Sequence, residues 1–211
     1  MSGSFPPIPK SSFLVAATPP SSFEEMDVYG RLRDIVKEYG ANKIALTSSF
    51  GVQSIIMINM MQECGFNFPI ITLDIPGKGF DTQREYRENL RAHYGLNLCI
   101  IEVENEKDKR GAMDDALMRL GVAAEVAGIR SDQTSNRASK RFVEYSEDIG
   151  VAKIYPILDW SDGMAHNYIV SLQDETLWHP NYALGAQTKG GRVLEEGENK
   201  TECSLHGPNN I

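Results

Sequence analysis

Residues 43–64 read KIALTSSFGVQSIIMINMMQEC, and this stretch decides the fold class. Residues 43–48 have the length and apolar character of a buried strand, and residues 51–64 form an apolar segment of helical length. The loop between them is built from hydroxyl residues and glycine. A buried strand followed directly by a helix is the unit from which α/β domains are assembled.

The same alternation continues along the chain in both directions. Strands are predicted at residues 69–74, 97–104, 123–131 and 152–160, and helices at residues 81–95 and around 108–120. A helix that begins near residue 23, and that Gly40 closes as its C-cap, precedes the first strand. Apolar strands separated by helices predict a three-layer α/β domain: a mostly parallel, twisted sheet of about five strands with helices on both faces.

The 211 residues suit one domain with an extension at each end. Residues 1–22 are rich in proline and serine and predict an irregular N-terminal arm, residues 23–185 hold the α/β domain, and residues 186–211 form a polar tail. The arm carries several apolar side chains, which could pack on its own body or on a partner subunit.

Charge and cysteine content restrict the class of function. The formal net charge of −8 argues against a general affinity for nucleic acid, which is bound through clustered lysine and arginine. Three cysteines without Cys-x-x-Cys spacing predict neither a disulfide framework nor a metal or iron–sulfur site. Because no apolar run is long enough to cross a bilayer, we expect a soluble, cytoplasmic protein with no membrane association.

The informative loops follow three of the predicted strands, at the edge where parallel sheets bind their ligands. The loop after the first strand and the helical turn behind it contain Thr47, Ser48, Ser49, Gly51 and Gln53. Hydroxyl donors beside free N–H groups at a helix N-terminus predict an anion site. Neither the Walker spacing nor the dinucleotide glycine spacing is present, and the same residues could equally cap the helix.

The other two loops add an acidic and a basic component. Asp74 ends the second strand, where its carboxylate could accept hydrogen bonds from a ribose or a base, or could cap the next turn. The fourth strand runs into a basic segment that contains Arg130, Gln133 and Arg137. Guanidinium groups bind phosphate oxygens in a forked geometry, so the three loops together predict a site for a small phosphorylated ligand.

One cysteine differs from the other two. Cys64 and Cys99 lie in apolar stretches and are predicted to be buried, whereas Cys203 lies in the polar tail sequence TECSLH. A thiol in this tail is either incidental or reactive, and the residue type alone does not decide between the two.

In this order, the stretches LTSSFGVQS, ITLDIPG, GIRSDQTSNRAS, KIYPILDWSD and TECSLH resemble the phosphoadenylylsulfate reductase family, the thioredoxin- or glutaredoxin-dependent sulfonucleotide reductases. The resemblance covers residues 43–206 and implies the adenine nucleotide alpha-hydrolase-like fold. It implies that Cys203, in a mobile tail, attacks the phosphosulfate sulfur, and that thioredoxin or glutaredoxin then releases sulfite from the S-sulfonate. His206 is the neighbouring group that could lower the pKa of the thiol.

The resemblance also implies roles for the loops. The phosphosulfate end is assigned to Ser48, Ser49, Gly51 and Gln53, the adenosine to Asp74, and the phosphates to Arg130, Gln133 and Arg137. The absence of paired cysteines implies an enzyme without a bound cofactor or iron–sulfur cluster, acting on 3′-phosphoadenylylsulfate and not on adenylylsulfate. A homodimer is implied as well.

Three departures from the family pattern bear on the substrate. Ser204 stands where a glycine is usual, Ile75 and Pro76 alter the loop after the second strand, and Ser131 stands where a second arginine is common. Ser131 therefore removes a positive charge from the predicted phosphate site.

Two other functions are left open by the residues. An ATP pyrophosphatase or adenylyltransferase of the same fold would commonly carry an aspartate for Mg²⁺ where this chain has the neutral Gln53. The second alternative is a sulfur-handling, nucleotide-binding accessory protein with altered chemistry, which the presence of Cys203 disfavours.

Overall fold

A computed structural model describes residues 23–74, 81–104, 106–179, 188–189 and 192–193 of the chain. The predicted N-terminal arm, and the tail segment that contains Cys203 and His206, lie outside these described residues.

A six-stranded sheet forms the centre of the described structure. Its strands are β1 (Ile44–Thr47), β2 (Ile70–Asp74), β3 (Leu98–Glu102), β4 (Ala124–Ala127), β5 (Val143–Ser146) and β6 (Val151–Ile154). They lie in the order β3-β2-β1-β4-β6-β5, and all pairs are parallel except β5 with β6. The predicted α/β class and mostly parallel sheet are confirmed.

Six α-helices accompany the sheet in the described residues. They are α1 (Val28–Tyr39), α2 (Val52–Glu63), α3 (Asp81–Tyr94), α4 (Lys109–Arg119), the short α5 (Ser135–Ala138) and α6 (Asp162–Ser171). A small antiparallel pair, β7 (Thr188–Lys189) and β8 (Arg192–Val193), lies in the part of the chain that the sequence analysis assigned to the tail.

Two differences from the predicted elements have local causes. The strand β5 was not predicted, because it is short, only half-buried, and joined to β6 by a tight turn that ends at Gly150 with a φ of 69°. The strand predicted at residues 152–160 ends at Ile154. Pro156, two residues further on, has no N–H to donate to a sheet ladder, so the chain turns away.

The two larger of three apolar clusters in the described core lie on opposite faces of the sheet. The larger cluster joins Ile44, Leu46 and Val126 to apolar side chains of α1, α2, α3 and α6. The smaller cluster joins Ala45 and Ile71 to apolar side chains of α4. Successive strand residues point to opposite faces, so a strand such as IALT fills both clusters and is buried throughout.

The ends of α1 follow from its sequence. Asp27 is the N-cap, and its Oδ1 accepts a hydrogen bond from the backbone N–H of Gly30 at 2.6 Å. The helix therefore begins at Val28, later than the predicted start near residue 23. Gly40 closes the helix with a φ of 78°, as predicted, a conformation that other residues adopt only with strain.

Among the described residues, no helix is long and apolar enough to span a membrane.

Candidate functional site

The three predicted loops follow strands that end at one edge of the sheet. Strands β2, β1 and β4 are parallel neighbours, and Thr47 at the end of β1 is in register with Ile71 on one side and Ala127 on the other. The chain leaves β1 towards β2, while β4 lies on the opposite side of β1. This arrangement is a topological switch point, at which the following loops separate and leave a crevice for a ligand.

The loop after β1 has a strained backbone that the core holds in place. Phe50 has a φ of 56°, in the left-handed region that favours glycine, and its side chain is completely buried. The Ser48 hydroxyl accepts a hydrogen bond from the Phe50 N–H at 3.0 Å. From α3, the side-chain amide of Gln83 donates to the carbonyl oxygen of Ser49 at 2.6 Å. The loop is therefore fixed before any ligand arrives.

The N-terminus of α2 opens into this edge. Gly51 is its N-cap and supplies no capping side chain, so the first-turn N–H groups, including that of Gln53, have neither intrahelical acceptors nor a side-chain cap. The partial positive charge of a helix N-terminus favours an anion there. Ser49 is exposed beside this turn and Ser48 is buried, so Ser49 is the hydroxyl with access to a ligand.

Gly128, directly after β4, brings the neighbouring loop against the start of α2. A Cβ atom at this position would lie 2.6 Å from the carbonyl oxygen of Gln53 and 2.8 Å from its carbonyl carbon. Both distances are shorter than real Cβ contacts, so the close approach of the two loops requires glycine. The sequence analysis did not identify Gly128.

Thr47, one of the hydroxyl residues of the predicted anion site, is buried. Its hydroxyl donates to Oε1 of Glu125 on β4 at 2.8 Å. The Glu125 carboxyl is almost fully buried, and burial raises its pKa, against the opposing effects of Lys153 and Thr47. The Lys153 ammonium lies 3.7 Å from the other carboxyl oxygen. This buried group ties β1 to β4 beneath the site.

Asp74, at the end of β2, is paired with two arginines of α3. The Arg84 Nε atom lies 2.8 Å and 3.1 Å from the two carboxylate oxygens, and an Nη atom of Arg87 lies 3.5 Å from one of them. A cavity of about 490 Å³ opens beside them, within the usual size range of ligand pockets. Its lining residues are Asp74, Arg84, Glu102, Val103 and Glu104.

Arg130 is enclosed by protein carboxylates. Its side chain is only 3% exposed, and its two Nη atoms lie 2.7 Å from Asp132 and 2.7 Å from Asp162 at the start of α6. Arg130 was predicted from the sequence to bind the phosphates of a ligand. The structure shows that the positive charge of Arg130 is already compensated by two negative charges.

Gln133 connects Arg130 to Arg137. Its side-chain oxygen accepts a hydrogen bond from the backbone N–H of Arg130 at 3.1 Å and another from the guanidinium of Arg137. Arg137 lies in the short helix α5, which Thr134 caps. The two predicted phosphate arginines therefore belong to one connected loop, but only the Arg137 side chain is partly exposed.

The two described cysteines pack against the core and are half-buried, not buried as predicted. Cys64 follows α2, and partial burial raises the pKa of its thiol, which disfavours the reactive thiolate form.

Several residues of this edge were missed by the sequence analysis, and only some had a detectable signal. Arg84 and Arg87 are three residues apart on a helix and thus share a face, which could have indicated their common partner. Phe50, Gly128 and Asp162 gave no such signal, because each acts through a contact with a distant part of the chain.

Comparisons with known proteins cover the part of the chain that contains these loops. The family model for the phosphoadenosine phosphosulfate reductase domain matches residues 43–115 and 106–191, which include the loops after β1, β2 and β4. A phosphoadenosine 5′-phosphosulfate reductase of Alkalilimnicola ehrlichii is 27% identical over 78% of this chain and 77% of its own. The enzyme of that name from Klebsiella pneumoniae is 26% identical over 94% and 95%.

Solved structures show the fold. The phosphoadenylyl-sulfate (PAPS) reductase of Candida auris superposes with a TM-score of 0.66, over 80% of this chain and 89% of its own, at 19% identity. The FMN adenylyltransferase of Candida glabrata superposes with a TM-score of 0.61 over 70% of this chain and 55% of its own, at 14% identity. The fold is thus shared by proteins named for different reactions, and it does not by itself select one of them.

Proposed function

Because this chain belongs to the phosphoadenosine phosphosulfate reductase domain family, we propose that it is an enzyme that reduces 3′-phosphoadenylylsulfate to sulfite and adenosine 3′,5′-bisphosphate. The observation that carries the proposal is the family match across residues 43–191, which spans the three loops at the carboxyl edge of the sheet. The adenylyltransferase alternative shares the fold. That reaction would need a Mg²⁺-binding carboxylate at position 53, where this chain has the neutral amide of Gln53.

The anionic part of the substrate binds at the start of α2. The uncapped N–H groups of the first turn and the exposed Ser49 hydroxyl are donors for sulfate and phosphate oxygens. Arg137, oriented by Gln133, supplies positive charge from the loop after β4. The adenosine lies towards the cavity beside Asp74, where carboxylate oxygens accept hydrogen bonds from ribose hydroxyls or the adenine amino group.

The chemistry belongs to Cys203. Its thiolate attacks the sulfur of the phosphosulfate, the sulfur–oxygen bond to the phosphate breaks, and adenosine 3′,5′-bisphosphate leaves with the electron pair of that bond. The enzyme then carries a cysteine S-sulfonate. His206, three residues further along, is the group that favours the thiolate.

A dithiol partner of the thioredoxin or glutaredoxin type completes the cycle. One of its thiolates attacks Sγ of Cys203, which expels sulfite and leaves a mixed disulfide. The second thiolate of the partner then attacks that disulfide, so Cys203 returns as a thiolate and the partner leaves oxidised. The partner supplies both electrons, and no bound cofactor is required.

Intact-protein mass spectrometry tests this proposal. Purified protein is mixed with 3′-phosphoadenylylsulfate without a reductant, and peptide mapping locates any added sulfonate group. We expect stoichiometric modification of Cys203, reversed by reduced thioredoxin with release of sulfite, and none in Cys203→Ser. Protein that binds the nucleotide but never becomes sulfonated would favour the accessory-protein alternative.

A further inference from the structure

The loop after β4 is fastened to the start of α6 by a compact set of contacts around Arg130. One Nη atom of Arg130 lies 2.7 Å from Oδ1 and 2.9 Å from Oδ2 of Asp132, and the other donates to Oδ1 of Asp162 at 2.7 Å. Asp132 also accepts from the backbone N–H of Asp162 at 2.7 Å. The N–H of Ser131 donates to the carbonyl oxygen of Leu158 at 2.8 Å. Side chains and backbone thus hold the two segments in one relative position.

The charge balance of this cluster is unfavourable for binding a phosphate. One guanidinium faces two carboxylates, so its positive charge is already compensated and offers little net attraction to a phosphate. Burial also restricts access, because Arg130 is only 3% exposed and its Nε atom is buried, without a hydrogen-bond partner in the described part of the chain. Both Nη atoms of Arg130 already face protein carboxylates, and its Nε atom is shielded from solvent.

The same cluster determines where Arg137 lies. Gln133 accepts from the backbone of Arg130 and from the guanidinium of Arg137 with a single oxygen atom. A shift of Arg130 therefore moves Gln133, and with it the Arg137 side chain. The cluster sets the position of Arg137 through short, charge-assisted contacts that do not require a ligand.

We propose that Arg130 is a positioning residue and not a phosphate ligand: held by Asp132 and Asp162, it fixes the loop that presents Arg137 to the phosphates of the nucleotide. This inference rests on the proposed function for the identity of the nucleotide. It assigns the phosphate contact of this loop to Arg137 and gives Asp162, which is distant in sequence, a part in substrate binding.

Substitutions of Asp162 distinguish a positioning role of Arg130 from direct phosphate binding, because the two roles predict opposite changes in nucleotide affinity. Asp162→Ala removes an acceptor of Arg130, whereas Asp162→Asn keeps an acceptor oxygen and removes only the charge. If Arg130 is a positioning residue, Asp162→Ala should weaken the binding of adenosine 3′,5′-bisphosphate about tenfold. Asp162→Asn should then keep most of the wild-type affinity. If Arg130 were a phosphate ligand in competition with Asp162, both variants would bind more tightly. Calorimetric titration of the full chain measures the difference.

Matched variants keep the result interpretable. Glu147→Ala also removes one exposed negative charge, in the turn before β6, and should leave the affinity unchanged. Asp162 is 88% exposed at its side chain, so its replacement should not prevent folding. Tighter or unchanged binding in Asp162→Ala would overturn the proposal.

Hydrogen exchange of the ligand-free protein gives a second measurement, which does not depend on the proposed function. The backbone amides of residues 131–137 should exchange faster in Asp162→Ala than in the wild type, and Asp162→Asn should restore their protection. Unchanged exchange in Asp162→Ala would refute the positioning role. If the wild type fails to bind the nucleotide while its loop loses protection in Asp162→Ala, the proposed function fails and the positioning of the loop by Arg130 stands.

Discussion

Gly128 shows how a single residue without a side chain can determine the geometry of the site. The loop after β4 approaches the carbonyl group of Gln53 so closely that a Cβ would overlap it. Because the obstacle is backbone, it cannot rotate away as a flexible side chain would. Either the loop or the start of α2 must therefore move if Gly128 is replaced.

We expect Gly128→Ala to destabilise the protein by about 1–3 kcal/mol, the usual cost of overpacking, and to weaken nucleotide binding. Gly111→Ala is the matched control, since it lies within α4 and the added Cβ would have no atom within 4 Å apart from its chain neighbours and the backbone of its own helix. There the exchange should stabilise the protein by about 0.5–1 kcal/mol. Urea unfolding of both variants measures the contrast, and equal stabilities would contradict the steric argument.

Glu125 gives the stability of the protein a pH dependence of known sign. Burial raises the pKa of its carboxyl above the value of 4.5, so the folded state holds a proton that the unfolded chain has already released. The stability that Glu125 contributes is fully present below the pKa of its carboxyl in the unfolded chain. It is lost as the pH rises from that value through the pKa of the carboxyl in the folded protein. The loss amounts to about 1.4 kcal/mol per pH unit within that window.

Glu125→Gln should remove this dependence, because the amide does not titrate and can still accept from Thr47. The stability of the variant relative to the wild type is expected to increase as the pH rises above 4.5, and the two should converge in acid. Urea unfolding across the pH range measures this difference. A difference that is constant with pH would show that the carboxyl is not perturbed.

At the level of single residues, the loops at the carboxyl edge of the sheet could be predicted from the sequence, but the hydrogen bonds within them could not. The loops carrying Ser49, Gln53 and Arg137 could be identified because chemistry-bearing residues follow predicted strands. The partners of Thr47, Asp74 and Arg130 could not, because each depends on which strands and helices become neighbours. Glu125 is 78 residues from Thr47 along the chain, and periodicity contains no information about such a pairing.

Most of the larger helices and strands could be predicted from apolar runs bounded by glycine and polar residues, whereas the helices α5 and α6 and the strand β5 were not predicted. Helix α1 has one unusual feature, a buried arginine on its apolar face. Arg31 lies on the same helix face as the apolar Val28, Leu32 and Ile35 and is 2% exposed. An arginine at an apolar helix position is a signal that a buried acceptor must exist elsewhere.

Arg31 joins α1 to two other segments of the chain. Its guanidinium donates to the carbonyl oxygens of Phe23, Glu24 and Pro156 and to both carboxylate oxygens of Asp159, at distances of 2.6–3.1 Å. Arg31→Ala leaves these acceptors without their donor, and we expect a loss of about 2–4 kcal/mol in unfolding free energy.

Arg33 on the same helix provides the comparison. It is exposed, and Arg33→Ala should change the unfolding free energy by no more than about 0.5 kcal/mol. Arg31→Lys should recover little, because one ammonium cannot reach acceptors arranged around a planar guanidinium. Similar stabilities for Arg31→Ala and Arg33→Ala would rule out the anchoring role.

For the whole molecule, the parallel sheet explains why residues far apart in sequence share one function. The parallel strands β1, β2 and β4 end at the same edge, so residues 48–53, 74 and 128–137 lie there although some 80 residues separate the first from the last. This architecture could be predicted from the alternation of strands and helices. Strand order could not, because the position of β4 beside β1 follows from packing over the whole chain.

The division between a binding body and a reactive tail leads to the last prediction. Nucleotide binding is assigned to the loops of the sheet edge and the chemistry to Cys203, so the two properties should be separable. At a hundredfold excess over its Kd, adenosine 3′,5′-bisphosphate should stabilise the protein by about 2.7 kcal/mol. For a chain of this length, this corresponds to a rise in Tm of about 5–10 °C.

The variant Cys203→Ala should show the same rise in Tm while releasing no sulfite from 3′-phosphoadenylylsulfate in the presence of reduced thioredoxin. Arg137→Ala should show the opposite pattern. Its rise in Tm at the same nucleotide concentration should be smaller than that of the wild type, although the Cys203 thiol is still present. Because the nucleotide stabilises only the state that binds it, a lost rise in Cys203→Ala would mean that the tail forms part of the binding site. Sulfite release at the wild-type rate by that variant would exclude Cys203 as the nucleophile.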